Sequence, residues 1–260
     1  MTGRTIFCAL ISMMICATIG YGQTDRDVLR DGLTLEGVDG QLVCQDNNSV
    51  YFFKPDTDIS DDRAVIKART AIEILPSVSL EKMAAVRDEN VSAGFRIWGR
   101  VTSYKGKNYI FVIHFLQTGE VDAEKADSSE GRLVEDANDT LKLPKEILEK
   151  MQSRKIIQPI QLTKGFEMEQ DYILVDRTGF IRSDPNGGSV FVFDCLGRNL
   201  ENISIALMPC YTLQSCESEQ QGELEEIRFK VSGIVTRYKD GFYLLLQRAN
   251  RSFSYGNFTR

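Results

Sequence analysis

Histidine is nearly absent from this sequence, and its scarcity excludes several kinds of site. The 260 residues contain one histidine, His114. Sites that need two histidines, such as HExxH zinc helices and Cys2His2 fingers, are therefore excluded. A catalytic triad would have to use His114, which alternates with Ile113 and Phe115 in an apolar segment typical of a packed strand. We predict no catalytic residue, no metal site and no cofactor.

An excess of basic charge is also lacking. The chain has 31 Lys and Arg residues against 37 Asp and Glu residues, which gives a net charge of −6. Proteins whose affinity for nucleic acids comes from neutralising phosphates normally have a positive excess. The composition thus gives no strong signal for nucleic-acid binding. At 42% hydrophobic and 26% charged residues, it is typical of a globular protein.

Long apolar runs are confined to the N-terminus. Arg4 precedes an apolar run over residues 6–19, and Gly20-Tyr21-Gly22 places small residues at the −3 and −1 positions of a cut before Gln23. This order is typical of a secretory signal peptide. As a helix, a run of about 14 residues covers about 21 Å, too short for a hydrocarbon core of about 30 Å. We predict cleavage, export to the periplasm or the extracellular space, and no later transmembrane segment.

Cysteines are few once the signal peptide is removed. The four that remain are Cys44, Cys195, Cys210 and Cys216. Export permits disulfides, but four cysteines allow three full pairings, and the spacing does not choose among them. Cys210 and Cys216 are close in sequence, so a local disulfide between them is possible. The alternative is that they form no disulfide. They lack CxxC spacing, so redox or zinc chemistry has little support.

An internal duplication is the most informative feature that is present. The segment FRIWGRVTSYKGKNY at 95–109 recurs as FKVSGIVTRYKDGFY at 229–243. Two earlier blocks correspond in the same order: residues 72–80 with 205–213, and residues 40–53 with 179–193. Three ordered blocks predict two copies of one unit of roughly 85 residues, which is too few copies for a solenoid. We expect the two copies to pack against each other.

The elements of the first copy follow a simple order. Strand candidates lie at 33–38, 41–44, 50–53, 71–75, 95–104 and 109–116. A turn at Asp39-Gly40 separates the first two. Pro76 ends the fourth, and Ser77 is expected to cap a short helix. Gly99 and its counterpart Gly233 suit a bend or bulge in a strand.

This order resembles that of the OB-fold, a five-stranded barrel with a helix between its third and fourth strands. The Asp39-Gly40 turn gives the first copy one strand too many. The whole chain is also similar to a group of uncharacterised exported bacterial proteins with a VxGxVTxYxGxxY-type hairpin. The matching residues here are Gly99, Val101, Thr102, Tyr104, Gly106 and Tyr109, and then Gly233, Val235, Thr236, Tyr238 and Tyr243. The second copy departs from the pattern, with Asp240 in the place of Gly106.

The resemblance implies a mainly β chain with short helices, in which two tandem OB-like small barrels are joined by an acidic linker and one helix. It implies no activity. The expected segments are a signal peptide (1–22), β unit 1 (23–118), the acidic linker with its helix (119–155), β unit 2 (156–250) and a C-terminal tail (251–260).

One outward-facing row on the first hairpin is a candidate ligand site. Alternation places Phe95, Ile97, Gly99 and Val101 inward, and Arg96, Trp98, Arg100 and Thr102 outward. Because single-strand grooves combine positive charge with stacking rings, Arg96, Trp98 and Arg100 form the best local candidate. An envelope polysaccharide would also suit an exposed tryptophan. The alternative is a solvated strand face with Trp98 partly covered by a neighbouring element.

These observations favour an exported, non-catalytic envelope protein, a binding or assembly module for an unknown envelope polymer or protein. The alternative is a hydrolase acting on envelope polysaccharide or peptide through unrecognised carboxylates, such as Asp61-Asp62 or Glu225-Glu226. A third hypothesis is weak oligonucleotide binding by the Trp98 row. The acidic run at 56–62 lacks the glycine that a calcium loop needs at its sixth position.

Overall fold

The repeated strand pattern folds into two closed five-stranded β-barrels. A computed structural model describes residues 28–45, 50–89, 93–118, 155–162, 166, 168–185, 187–194 and 203–253. The predicted signal peptide, residues 119–154 of the acidic linker with its helix, Cys195, and residues 254–260 of the predicted tail lie outside the described residues. Within the described ranges, we find no helix whose length and apolar character would let it span a membrane.

The first barrel has its helix between its third and fourth strands, as in the OB-fold order. Its elements are β1 (Thr34–Gln45), β2 (Val50–Pro55), β3 (Ile59–Ser60), β4 (Val65–Ile66), β5 (Ile72–Ile74), α1 (Val78–Glu89), β6 (Gly94–Tyr104) and β7 (Lys107–Thr118). The strands of the barrel are arranged β1-β2-β5-β7-β6 and close on β1, while β3 and β4 form a separate small hairpin. Strand β5 runs parallel to β7, and the other neighbours in the barrel are antiparallel.

The second barrel repeats this connectivity. Its elements are β8 (Tyr172–Ser183), β9 (Ser189–Phe193), β10 (Ser204–Leu207), α2 (Tyr211–Gln221), β11 (Arg228–Tyr238) and β12 (Gly241–Arg251). The order is β9-β10-β12-β11-β8, closed between β8 and β9. A 3₁₀ turn at Pro159–Gln161 precedes it, and Ile156 pairs with Ile173 on β8. The expected OB-like fold is therefore confirmed in both copies.

The turn predicted at Asp39-Gly40 is wrong, because β1 continues through both residues as one strand. Gly40 is needed here for close approach: a Cβ on it would lie 2.4 Å from the carbonyl oxygen of Lys54 on β2. The bend comes earlier, at a bulge between Glu36 and Val38, where Gly37 has a φ of +70°. Merging the two strand candidates removes the surplus strand and leaves the five of an OB-type barrel.

Each helix begins at an equivalent residue of the repeat. The Ser77 hydroxyl accepts a hydrogen bond from the Leu80 amide (3.0 Å), as an N-cap should. In the second copy the sulfur of Cys210 accepts from the Leu213 amide at 3.4 Å. Leu80 and Leu213 are both buried in the cores.

The possible disulfide between Cys210 and Cys216 is absent, since both are free, buried thiols. Six helical residues rise about 9 Å, whereas a disulfide needs Cα atoms about 4.4–6.8 Å apart. Burial raises the pKa of the Cys210 thiol to about 11 and that of Cys216 to about 12. Both therefore stay protonated at neutral pH and behave as small apolar side chains with little nucleophilic character.

The two barrels pack against each other through equivalent residues of the repeat, as expected. Thr102 donates from its hydroxyl to the Pro209 carbonyl (3.0 Å), and Thr236 accepts at its hydroxyl from the Val78 amide (3.0 Å). Thr102, predicted to face outward, faces the other barrel and is 4% exposed. Phe111 of the first barrel packs in the apolar cluster of the second, and Tyr238 of the second packs in that of the first.

Candidate functional site

The predicted row of Arg96, Trp98 and Arg100 lies on the outer face of β6, but Arg96 is held by its own barrel. Its guanidinium donates two hydrogen bonds to the carboxylate of Asp39 on β1, at 2.7 and 2.8 Å. The hydrogen bond from Arg96 lowers the pKa of the Asp39 carboxyl, so the pair is fully ionised at neutral pH. The two N–H donors with which the Arg96 guanidinium would bind a phosphate or carboxylate ligand are thus already paired with Asp39.

Trp98 is partly covered, and Arg100 is exposed. A Cβ on Gly37 would lie 3.3 Å from the Trp98 ring, so the bulge glycine makes room for the indole. The ring also contacts His114 on β7, with centroids 5.6 Å apart and planes inclined at 43°. Trp98 and His114 therefore form one partly exposed aromatic pair on the first barrel.

The same position on the second barrel carries an ionic network. Asp176, with a φ of +48°, takes the place of Gly37, and Ser232 takes that of Trp98. The Asp176 carboxylate accepts hydrogen bonds from Ser232 and Arg248 and is 3.4 Å from the Lys230 ammonium. Both copies thus have the bulge, but the side chains beside it form an aromatic pair in the first barrel and an ionic network in the second. The alternation of a strand pattern alone does not reveal this difference.

A groove at the seam between the barrels brings together side chains that are far apart in the sequence. We call it the seam groove, and its volume is about 510 Å³. It is lined by Tyr104, Lys105, Ile181, Arg182, Ser183, Gly188, Ser189, Glu217, Gln220 and Gln221. These residues come from the end of β6 and the β6–β7 turn of the first barrel, and from β8, the β8–β9 loop, β9 and α2 of the second. The volume lies within the range of small-molecule sites.

The carboxylate of Glu217 organises the polar groups of the seam groove. It accepts hydrogen bonds from the Tyr104 hydroxyl (2.8 Å) and the Ser189 hydroxyl (2.8 Å), and it pairs with the Lys105 ammonium at 3.1 Å. Desolvation of this partly buried carboxyl raises its pKa, but these three hydrogen bonds together outweigh that effect and lower it. Glu217 is therefore a negative charge at neutral pH, with partners on both barrels.

The local backbone explains why Tyr104 and Lys105 reach α2. Lys105 and Gly106 both have positive φ, +48° and +76°, as a two-residue type I′ hairpin turn requires. The turn is thus shorter than the four residues predicted. The Lys105 amide donates to the Gln214 side chain of α2 at 2.7 Å, which fixes the turn against the second barrel.

Among the described residues, the equivalent helix position at the other seam carries no carboxylate. In the first copy, Ala84 of α1 occupies the position that Glu217 occupies on α2. Tyr238, the counterpart of Tyr104, is 8% exposed, and burial raises its pKa to about 12. Aligning the copies pairs Ala84 with Glu217, but the contact between Tyr104 and Glu217 spans 113 positions and needs the fold.

One carboxylate in each pair of the hydrolase hypothesis has local hydrogen-bond partners. Asp61 accepts hydrogen bonds from the backbone amides of Arg30, Arg63 and Ala64, which shape the loop around the β3–β4 hairpin. Glu226 accepts two from the Arg182 guanidinium, at 2.9 and 2.8 Å. Across the part of the chain that the structure describes, no three His, Cys, Asp or Glu side chains converge as a metal site would require.

No protein-family model and no curated protein matches this sequence. Among solved structures, the wild-type single-stranded DNA binding protein from Thermus aquaticus is 10% identical, with a TM-score of 0.21, and the match covers 86% of this chain and 95% of that one. A deletion mutant of the same protein is 9% identical at the same TM-score of 0.21, covering 86% of this chain and 96% of that one.

The ion pair and hydrogen bonds of Glu217 make the stability of the folded chain depend on pH. Because its pKa is lowered in the folded chain, Glu217 contributes stability that is complete above its unfolded pKa of about 4.3 and is lost as the pH falls through the folded value. We expect Glu217→Gln to cost on the order of 1 kcal/mol at pH 7 and much less at pH 3.

Urea unfolding of both chains at pH 7, 5 and 3 measures this difference. Other carboxyls with lowered pKa, such as Asp39, titrate alike in both chains and cancel. Glu219→Gln, at an exposed position of the same helix, is the matched control and should change little at any pH. A cost for Glu217→Gln that stayed constant down to pH 3 would contradict the prediction.

Proposed function

We propose that this chain is an exported, non-catalytic binding module of the cell envelope, and that its ligand lies in the seam groove. The observation that carries the proposal is the groove itself. It is formed jointly by the two barrels and is lined by hydroxyl, amide and charged side chains around one partly buried carboxylate. A concave recess in which a small number of polar groups converge is characteristic of ligand sites.

The packing of the barrels supports this proposal because it makes the groove rigid. The walls belong to different copies of the repeat, and the hydrogen bonds of Thr102 and Thr236 hold those copies together from both sides. The Lys105 amide adds a further bond to α2. A site held in this way loses little conformational entropy when a ligand binds. The Trp98 row is a weaker candidate, since the Arg96 guanidinium is already hydrogen-bonded to Asp39.

Blocking the groove tests the proposal. Ser189 lies on the groove wall, so Ser189→Trp should fill the recess and abolish binding. Ser204 is the exposed first residue of β10 and does not line the groove, so Ser204→Trp should leave binding intact. The chain from residue 23 onward, in wild-type and both variant forms, would be applied to an array of envelope glycans and peptides. Thermal unfolding would verify that each variant folds.

Two results would count against this function. Wild-type chain that binds nothing on the array, or binding that Ser189→Trp leaves unchanged, would remove the groove from consideration. Turnover of an arrayed glycan or peptide, lost on replacing an acidic residue, would instead favour the hydrolase hypothesis.

A further inference from the structure

We infer that the seam groove selects an uncharged, hydroxyl-rich ligand, which is the chemistry of a neutral oligosaccharide. This inference rests on the proposed binding function and goes further by naming the class of ligand. It follows from two features of the groove: the balance of its charges and the orientation of its hydroxyl groups.

The cations of the groove each have a carboxylate partner. The ammonium of Lys105 lies 3.1 Å from Glu217, and the guanidinium of Arg182 is bound by both oxygens of Glu226. An anionic ligand would have to compete with these carboxylates for the same donors. Binding of phosphates or acidic sugars is strongest where cations are in excess, and here they are balanced one to one.

The ionised Glu217 carboxylate fixes the direction of the hydrogen bonds made by the Tyr104 and Ser189 hydroxyls. A carboxylate only accepts hydrogen bonds, so the hydrogens of Tyr104 and Ser189 point towards it. The Ser189 oxygen is then left as an acceptor, whereas the Tyr104 oxygen already accepts from the Lys105 ammonium. The Lys105 ammonium lies 4.6 Å from the centre of the Tyr104 ring and has three N–H donors, more than its contacts with Glu217 and Tyr104 use.

The groove therefore offers acceptors and donors side by side at fixed positions. A sugar hydroxyl both donates and accepts, so it can satisfy each of these groups. A phosphate or carboxylate oxygen only accepts, and it would leave the oxygen of Ser189 facing lone pairs. In the first copy Ala84 stands where α2 has Glu217, so that helix position has no carboxylate to accept a hydroxyl hydrogen.

Titration of the chain without its predicted signal peptide, from residue 23 onward, with neutral and anionic ligands of similar length tests the inference. Chitohexaose and maltohexaose are the neutral probes, and a hyaluronan hexasaccharide and the oligonucleotide dT12 are the anionic ones. We expect a neutral hexasaccharide to bind at least about tenfold more tightly than either anion, with a Kd that hardly changes between about 50 and 200 mM salt.

Variants of the groove should then change this preference. Glu217→Gln leaves Lys105 unbalanced, so the affinity for the neutral probe should fall about tenfold, and binding of the anions should rise and become sensitive to salt. Tyr104→Phe removes one of the two hydroxyls bound to Glu217 and should weaken only the neutral probe. Glu219→Gln and Tyr211→Phe, at exposed positions of α2, are the matched controls. Ser189→Ala tests the second hydroxyl if Glu217→Gln fails to fold.

The inference is overturned if neither neutral probe binds, if an anion binds as tightly as the neutral probes, or if Glu217→Gln leaves the preference unchanged. The proposed function is judged separately. An anionic probe whose binding is abolished by Ser189→Trp would keep the groove as a binding site and refute only its selectivity for neutral ligands.

Discussion

Replacing Val101 or Val235 by aspartate is expected to remove a large part of the chain's free energy of unfolding. The two valines are equivalent residues of the repeat, lie in β6 and β11, and are 0% exposed. An aspartate there would place an unpaired charge in an apolar barrel core. The cost exceeds about 4 kcal/mol, against a total stability of about 5–15 kcal/mol for typical domains.

Either substitution should disrupt both barrels. Leu75 and Phe111 belong to the first barrel but pack in the apolar cluster of the second, so loss of the first barrel exposes part of the second core. Near-ultraviolet circular dichroism and limited proteolysis would measure the loss of packing in each variant. Val65→Asp is the matched control, because Val65 on β4 is 43% exposed and the same charge stays in water.

A Val101→Asp or Val235→Asp chain that melts like the wild type would mean that the strand does not face the core. A variant that loses only one barrel, with the other still resistant to protease, would instead show that the shared apolar contacts contribute little.

Local patterns in the sequence were sufficient to predict the hairpins and their cores. Alternation over residues 95–104 indicated a strand with its odd-numbered positions inward, and β6 occupies Gly94–Tyr104 with Phe95, Ile97 and Val101 fully buried. The bulge expected at Gly99 lies between Trp98 and Gly99. These predictions succeeded because strand periodicity and a repeated glycine depend on neighbouring residues.

Features that depend on distant residues could not be read in the same way. Gly40 resembles a turn residue until β2 is placed against it, and only then is its role in close packing visible. Thr102 has the period of an outward position, but the other barrel covers that side. The seam groove likewise required Tyr104, Ser189 and Glu217, each from a different element, to be brought together by the fold.

The second large effect is expected at the bulge of the second barrel. A Cβ on Gly233 would lie 2.2 Å from the Leu245 carbonyl oxygen and 2.9 Å from a methyl of Leu244, both on the paired strand β12. Since backbone cannot move aside as a flexible side chain does, Gly233→Ala must separate β11 from β12 or displace the bulge. We expect a loss of about 3 kcal/mol in the free energy of unfolding.

Urea unfolding of Gly233→Ala alongside Gly222→Ala would measure this steric cost separately from the effect of adding a methyl group. Gly222 follows α2 with a φ of −82°, and the contact that a Cβ there would make is an ordinary 3.5 Å. Alanine should therefore be neutral or stabilise by up to about 1 kcal/mol at that position, by restricting the unfolded chain. Equal stability of the two variants would contradict the close approach of β12. A loss confined to Gly233→Ala would support it, and Gly99→Ala, where a Cβ would lie 2.4 Å from the Phe111 carbonyl oxygen, should then show the same loss in the first barrel.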